Sequence, residues 1–240
     1  CDEAGLLVWS EIPFYGRWDK VVDNPAYLEK AGVALEEMIR RDINRPSIFI
    51  WSVGNECATD TAHGARAVRK LVARARKLDP NRLISYATNK LERDRALGSF
   101  DVIALNQYPN WYDGHLEKRD SWPAIFERVR KRCKRLAPRP MLVTETGAGA
   151  IYGDRTLDNQ QWSEGYQAEV LEKNLTAILS DDRVSGVFIW QFADSKTAPA
   201  YWGHRPGTRN NKGLFSMWRH PKESRRVVRD LFARYRHGEL

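Results

Sequence analysis

The sequence predicts an α/β fold built on a parallel sheet, and three observations carry that prediction. Apolar runs of strand length alternate with longer segments whose apolar residues recur at helical spacing, with no repeat and no linker between them. Two of those strand-like runs, Ser47-Ile-Phe-Ile-Trp-Ser-Val53 and Met141-Leu-Val-Thr144, read as strands buried on both faces, and each runs into a glutamate. No Gly-x-Gly-x-x-Gly turn supports the nucleotide site of an open sheet. Alternation of this kind fits either an open, doubly wound sheet or a closed eight-stranded barrel.

Taken in order, residues 5–9 (Gly-Leu-Leu-Val-Trp) form a short strand ending in Ser10-Glu11-Ile12-Pro13. Asn24-Pro25 starts a helix, with an N-cap followed by proline at the first helical position. Tyr27, Ala31, Leu35, Met38 and Ile39 repeat along it at helical spacing. The second strand covers 47–53. A helix over 61–78 follows, with Ala65, Val68, Leu71, Val72 and Ala75 on its inner face, and Asp79-Pro80 ends it. Residues 82–87 form a strand, 88–99 a polar segment with short helices, and 101–106 the next strand. A basic helix occupies 122–136, a strand 141–145, and a long loop runs to about 159. The next helix carries Tyr166, Val170, Leu171, Leu175 and Ile178 inward. Residues 187–192 make the sixth and last strand, and 193–218 a long polar segment containing glycine. A final helix starts at Pro221 and buries Val227, Val228, Leu231, Phe232 and Tyr235.

A chain of 240 residues with 42% hydrophobic content is long enough for one good core. No apolar run approaches the ~20 residues of a membrane span, so no membrane partner is expected. The formal net charge of +8 raises nucleic acid as a partner. However, Arg128, Arg130, Lys131, Arg132, Lys134 and Arg135 surround an apolar stripe of Ile125, Val129, Cys133 and Leu136, which is the pattern of a solvated helix face. Nucleic acid is therefore not expected. Cys1, Cys57 and Cys133 lack metal-ligand spacing and leave one cysteine over in any pairing scheme, which favours a reduced, cytoplasmic protein. No metal and no cofactor is expected.

A carboxylate sited off the end of a buried strand is costly to desolvate unless the site uses it. In an alternating barrel, the C-terminal strand ends are where catalytic groups sit. One such glutamate could simply open an exposed loop. Two of the same design, Glu56 and Glu145, match what a retaining glycosidase needs: one carboxyl to protonate the leaving oxygen, one to attack the sugar carbon.

The stretch Arg41-Asp-Ile-Asn-Arg-Pro-Ser47 running into Trp51-Ser-Val-Gly-Asn-Glu56 resembles the acid/base signature of glycoside hydrolase family 2. Val143-Thr-Glu-Thr-Gly147 resembles that family's nucleophile strand, and Gly186-Val-Phe-Ile-Trp-Gln-Phe-Ala-Asp194 its last barrel strand. The resemblance covers nearly the whole chain, with the motifs in the family's order. It implies a (β/α)8 TIM barrel of which strands three to eight are present. The first two strands and the N-terminal β-sandwich domains would be missing, so residues 1–240 would form one partial catalytic domain.

By resemblance Glu56 is the general acid/base, Glu145 the nucleophile, and Asn55 the contact to the sugar 2-hydroxyl. Trp190 resembles the tryptophan of the sugar platform, with a barrel-core aromatic as its alternative. Leu105-Asn-Gln-Tyr-Pro-Asn-Trp-Tyr112 is most similar to the β-glucuronidase branch. That match implies substrate-site roles for Tyr108, whose phenol would orient Glu145, and for Tyr112. Gln161-Trp-Ser-Glu-Gly-Tyr-Gln167 also resembles that branch and is read as a packing segment. Asn210-Asn-Lys212-Gly resembles the Asn-x-Lys element with which β-glucuronidases grip a sugar carboxylate, with Arg205 or Arg209 as an added cation. Its alternative is an exposed turn with an ordinary surface lysine. Two residues depart from the family pattern: Thr146 follows the nucleophile and Cys57 follows the acid.

The function implied is a retaining, exo-acting β-glycosidase on a small-molecule or oligosaccharide β-glycoside, first of all a β-glucuronidase. The alternatives are a β-galactosidase or β-galactofuranosidase, and, from another class, a carbohydrate-binding protein without catalysis. Assembly of the full-length protein into homo-oligomers stays open.

Overall fold

Asn24 opens helix α1 (Pro25–Asp42) by accepting hydrogen bonds from the amides of Ala26 and Tyr27, a cap of about 1 kcal/mol. In the computed structural model, residues 1–15, 24–112, 121–134, 139–156 and 158–240 are described. Strand β1 (Val8–Glu11) precedes this helix, and β2 (Ile48–Asn55) follows it. Thr61 caps α2 (Ala62–Leu78) through the Gly64 amide. Next come β3 (Leu83–Thr88), two short 3-10 turns (Leu91–Arg93 and Leu97–Ser99) and β4 (Ile103–Asn106). Helix α3 (Trp122–Cys133), β5 (Met141–Thr146), α4 (Glu164–Leu179) and β6 (Val184–Ile189) continue the alternation. A short antiparallel pair, β7 (Ser195–Lys196) with β8 (Arg209–Asn210), precedes α5 (Glu223–Arg236).

The six long strands follow chain order, β1-β2-β3-β4-β5-β6. A doubly wound sheet reverses its order at a switch point, and this one does not. Consecutive order is the strand sequence of a TIM-barrel domain.

The residues divide into two compact units, 1–106 with 127–142, and 107–126 with 143–240. In the first, β1, β2, β3 and β4 pair in parallel. Its core joins Leu35 and Ile39 of α1, Trp51 and Val53 of β2, and Val68 and Leu71 of α2, all buried. Burying one such aliphatic side chain is worth about 1.5–3 kcal/mol. In the second unit, Leu171 and Leu175 of α4 pack on Val228 and Leu231 of α5, while Trp111, Ala148, Tyr166 and Val170 form a separate cluster.

Three expected elements shift. The first strand is not residues 5–9: Leu6 and Leu7 stay exposed, and pairing runs on to Glu11, which lies opposite Ser52. The sixth strand ends at Ile189 rather than at 192, so Trp190 lies beyond its end. The last helix begins at Glu223, and Phe232 and Tyr235, expected inside, are 40% and 51% exposed. The stripe residue Leu136 and its neighbour Arg135 lie outside the described residues.

Candidate active site

In the first unit, the end of β2 turns sharply. Gly54 takes φ +147°, and a Cβ there would stand 2.5 Å from the Phe14 carbonyl oxygen, so only glycine fits. Glu56 follows in the left-handed region at φ 49°, held by its amide donating to Ala87 O at 2.9 Å. A non-glycine residue in that region is strained by roughly 1–3 kcal/mol, a cost that clusters at functional sites.

Asn106, at the end of β4, reaches both predicted residues of this unit. Its Nδ2 donates to Asn55 Oδ1 at 2.8 Å and to Glu56 Oε1 at 3.2 Å. A third carboxylate, Glu11, ends β1 and accepts from Ser52 Oγ at 2.7 Å and Trp9 Nε1 at 3.1 Å. Glu11 is exposed as a residue, yet the packing around its carboxyl raises its pKa, and the charge of Glu56 adds to that while the two donors oppose it.

In the second unit, Glu145 lies near the end of β5 and accepts a hydrogen bond from the Tyr108 phenol at 2.5 Å. The rings of Tyr108 and Tyr112 meet edge to face at 5.4 Å. Lys212, far from being a surface lysine, is 1% exposed. Its Nζ donates to Tyr112 Oη at 3.2 Å and stands 5.0–5.4 Å from the ring centres of Tyr108, Trp111 and Tyr112. Burial first, and the charge of Arg205 second, lower its pKa from 10.5 to about 7 against the opposing charge of Glu145. Three aromatic rings thus surround the Lys212 ammonium at cation–π distance.

Asn210 Oδ1 accepts from the Lys212 amide at 3.3 Å. Of the two candidate arginines, Arg205 is electrostatically tied to Lys212, whereas Arg209 acts on Asp194. Trp190 is 39% exposed, and its amide donates to Thr146 O. Gly147 admits no side chain because a Cβ would lie 2.3 Å from Trp190 O. Gln191, next in the chain, donates its amide to Lys212 O at 2.9 Å. Thus Tyr108, Tyr112, Glu145 and Lys212 are brought together, with Trp190 and Asn210 on the backbone around them.

Sequence reasoning passed over Asn106, Glu11, Trp111 and the loop contacts of Gln167. Asn106 had a readable signal, because it ends a buried strand as Glu56 and Glu145 do. Among the described residues, no group of three His, Cys, Asp or Glu is arranged to hold a metal, and no helix is long and apolar enough to cross a membrane.

Comparison with known proteins adds context to this geometry. The family model described as "Glycosyl hydrolases family 2, TIM barrel domain" matches residues 1–236. Human β-glucuronidase is 31% identical over 241 residues, covering 97% of this chain and 36% of that protein. Among solved structures, a GH2 β-galacturonidase from Eisenbergiella tayi bound to galacturonate is 38% identical, with a TM-score of 0.91, covering 99% of this chain and 42% of that one. A β-glucuronidase from an uncultured Clostridium gives 30% identity and a TM-score of 0.86, covering 98% and 41%. The chain therefore spans well under half the length of these relatives.

Proposed function

Because this chain belongs to glycosyl hydrolases family 2, as its TIM barrel domain, we propose that its protein is a retaining β-glycosidase acting on β-D-uronides, glucuronides first. Glu145 attacks the anomeric carbon while Glu56 gives its proton to the departing glycosidic oxygen, so the C–O bond breaks as an ester to Glu145 forms. Glu56 then takes a proton from water, whose oxygen displaces Glu145 and returns the configuration to β. Retention requires the two carboxyls to stand about 5–5.5 Å apart across the sugar. Asn55 binds the 2-hydroxyl, and Trp190 lines the sugar platform.

The observation that carries the uronate reading is Lys212: a buried ammonium in an aromatic cage, within the field of Glu145. A neutral sugar gives such a group no counter-charge, whereas a C6 carboxylate does. Arg205 adds a second positive charge. Galacturonide is a second reading, favoured by the 38% identity to the E. tayi enzyme against 31% to human β-glucuronidase. The two sugars share the carboxylate and differ in the C4 hydroxyl.

The test is a panel of 4-nitrophenyl β-D-glucuronide, galacturonide, glucoside and galactoside, with the anomer released followed by proton NMR. The proposal expects a uronide to be cleaved best and the β-anomer to appear first. Preference for a neutral glycoside, or initial release of the α-anomer, would contradict it.

A further inference from the structure

Ten residues after Lys212 stands a second buried lysine that the proposed chemistry does not use. Lys222 is 2% exposed. Its Nζ donates to Ala150 O at 2.6 Å, Asp194 Oδ1 at 2.8 Å and Asn211 O at 3.0 Å, which accounts for all three of its protons. The same Asp194 oxygen accepts from the Gly213 amide at 2.9 Å. The pair therefore holds the backbone on both sides of Lys212, through Asn211 O before it and Gly213 N after it.

Gln167 adds a third hold. Its Nε2 donates to Gly213 O at 3.1 Å and Ala148 O at 2.8 Å, and its Oε1 accepts from Ser224 Oγ at 2.8 Å. The loop is also tightly packed: a Cβ on Gly213 would lie 2.2 Å from Asp194 N and 2.4 Å from Phe215 O.

Burying an ion pair costs several kcal/mol per charge, and apolar residues of similar volume often stabilise a core as well or better. Apolar residues, however, cannot donate to Asn211 O or accept from Gly213 N. Burial pushes the Asp194 carboxyl up and the Lys222 ammonium down, and their contact opposes both shifts.

We propose that Asp194 and Lys222 are positioning residues for Lys212: the buried pair fixes the backbone that carries the Lys212 ammonium and so sets the selectivity of the site for uronides. The selectivity part rests on the reading of Lys212 given above. A misplacement of about 1 Å in a binding group can cost on the order of 10²-fold, so a clamp remote from the sugar can still govern discrimination.

The experiment uses the natural protein that carries this chain, with Asp194→Asn, Lys222→Met and Gln167→Leu, each alone and combined with Lys212→Ala. Two quantities are read: the ratio of kcat/KM for 4-nitrophenyl β-D-glucuronide over the glucoside, and the pH profile of reductive methylation of Lys212 by mass spectrometry. The expected result is that Asp194→Asn or Lys222→Met lowers the ratio about tenfold, mainly through KM for the glucuronide, the scale of one misaligned charge-assisted hydrogen bond. In the Lys212→Ala background neither should lower it further, and in the single variants the Lys212 methylation profile should shift. Equal loss on both substrates with an unchanged methylation profile would overturn the inference and leave the pair merely structural. A wild-type protein with no uronide preference would instead overturn the uronate reading, and the methylation profile would then decide the clamp by itself. Should the two charge variants fail to fold, Gln167→Leu removes one hold on the same loop and must shift the profile in the same direction.

Discussion

The two glutamates at strand ends are held by different chemistry. Glu56, in the first unit, receives an amide N–H from Asn106 at 3.2 Å. Glu145, in the second, receives a phenolic O–H from Tyr108 at 2.5 Å and lies in the field of the Lys212 ammonium. A neutral amide brings no charge to the carboxyl, which accords with the acid/base role proposed for Glu56. An O–H donor and a nearby cation both favour an anion, which accords with the nucleophile role proposed for Glu145. The contrast teaches that two strands of one design, each ending in glutamate, place their carboxyls among different partners that their own sequence does not report.

The largest expected effect breaks that contrast on the nucleophile side. Glu145→Gly should lower kcat by about four orders of magnitude or more, as loss of a nucleophile does. Added azide should restore turnover with an α-configured glycosyl azide. A β-configured product would assign the nucleophile to another residue. Next comes Glu56→Ala, with a loss of about 10²–10⁴-fold on substrates with poor leaving groups, since a general acid contributes on that scale. The loss should shrink for an activated phenol that needs no proton, and azide should give the β-product. A loss independent of the leaving group would remove Glu56 from the acid role.

Smaller effects sharpen the comparison between the two holders. Tyr108→Phe deletes a hydrogen bond to a carboxylate worth about 1.5–3 kcal/mol, so kcat should fall roughly 10- to 150-fold. Asn106→Ala, which deletes amide bonds, should cost less, and single-turnover kinetics on both variants checks the order. The smallest effect concerns pH. Lys212, lowered from 10.5 to about 7, is protonated below that pH and neutral above it. kcat/KM for the uronide should therefore fall as pH rises through about 7, by several-fold beyond any fall seen with the matching glucoside. Folding stability moves the other way. Between about 7 and the lysine value of 10.5 the unfolded chain holds this proton and the folded protein does not, so stability gains with pH across that window. Lys212→Met should flatten that gain in melting curves.

Much of the fold was legible because its signals are local. Asn24-Pro25 and Thr61 gave the helix starts, and the apolar runs into Glu56 and Glu145 gave two strands. Lys212 was legible as part of a short motif, but its burial was not. That depends on Tyr108, Trp111 and Tyr112, about 100 residues earlier, and no spacing rule links them. Asn106 was legible as the end of a buried strand, but its hold on Asn55 and Glu56, 51 and 50 residues earlier, was not. The shift of the first strand to Glu11 follows from pairing with β2, which the apolar count of residues 5–9 does not report. Phe232 and Tyr235 repeat at helical spacing with Val228 and Leu231, yet only the latter two face α4.

The most direct test of the central claim, that a caged lysine makes this a uronide site, is kcat/KM of Lys212→Ala on 4-nitrophenyl β-D-glucuronide and on the matching glucoside. Loss of one charge-assisted contact, about 1.5–3 kcal/mol, should cut the glucuronide value roughly 10- to 150-fold and leave the glucoside value nearly unchanged. An equal fall on both substrates would make Lys212 a structural residue and contradict the account.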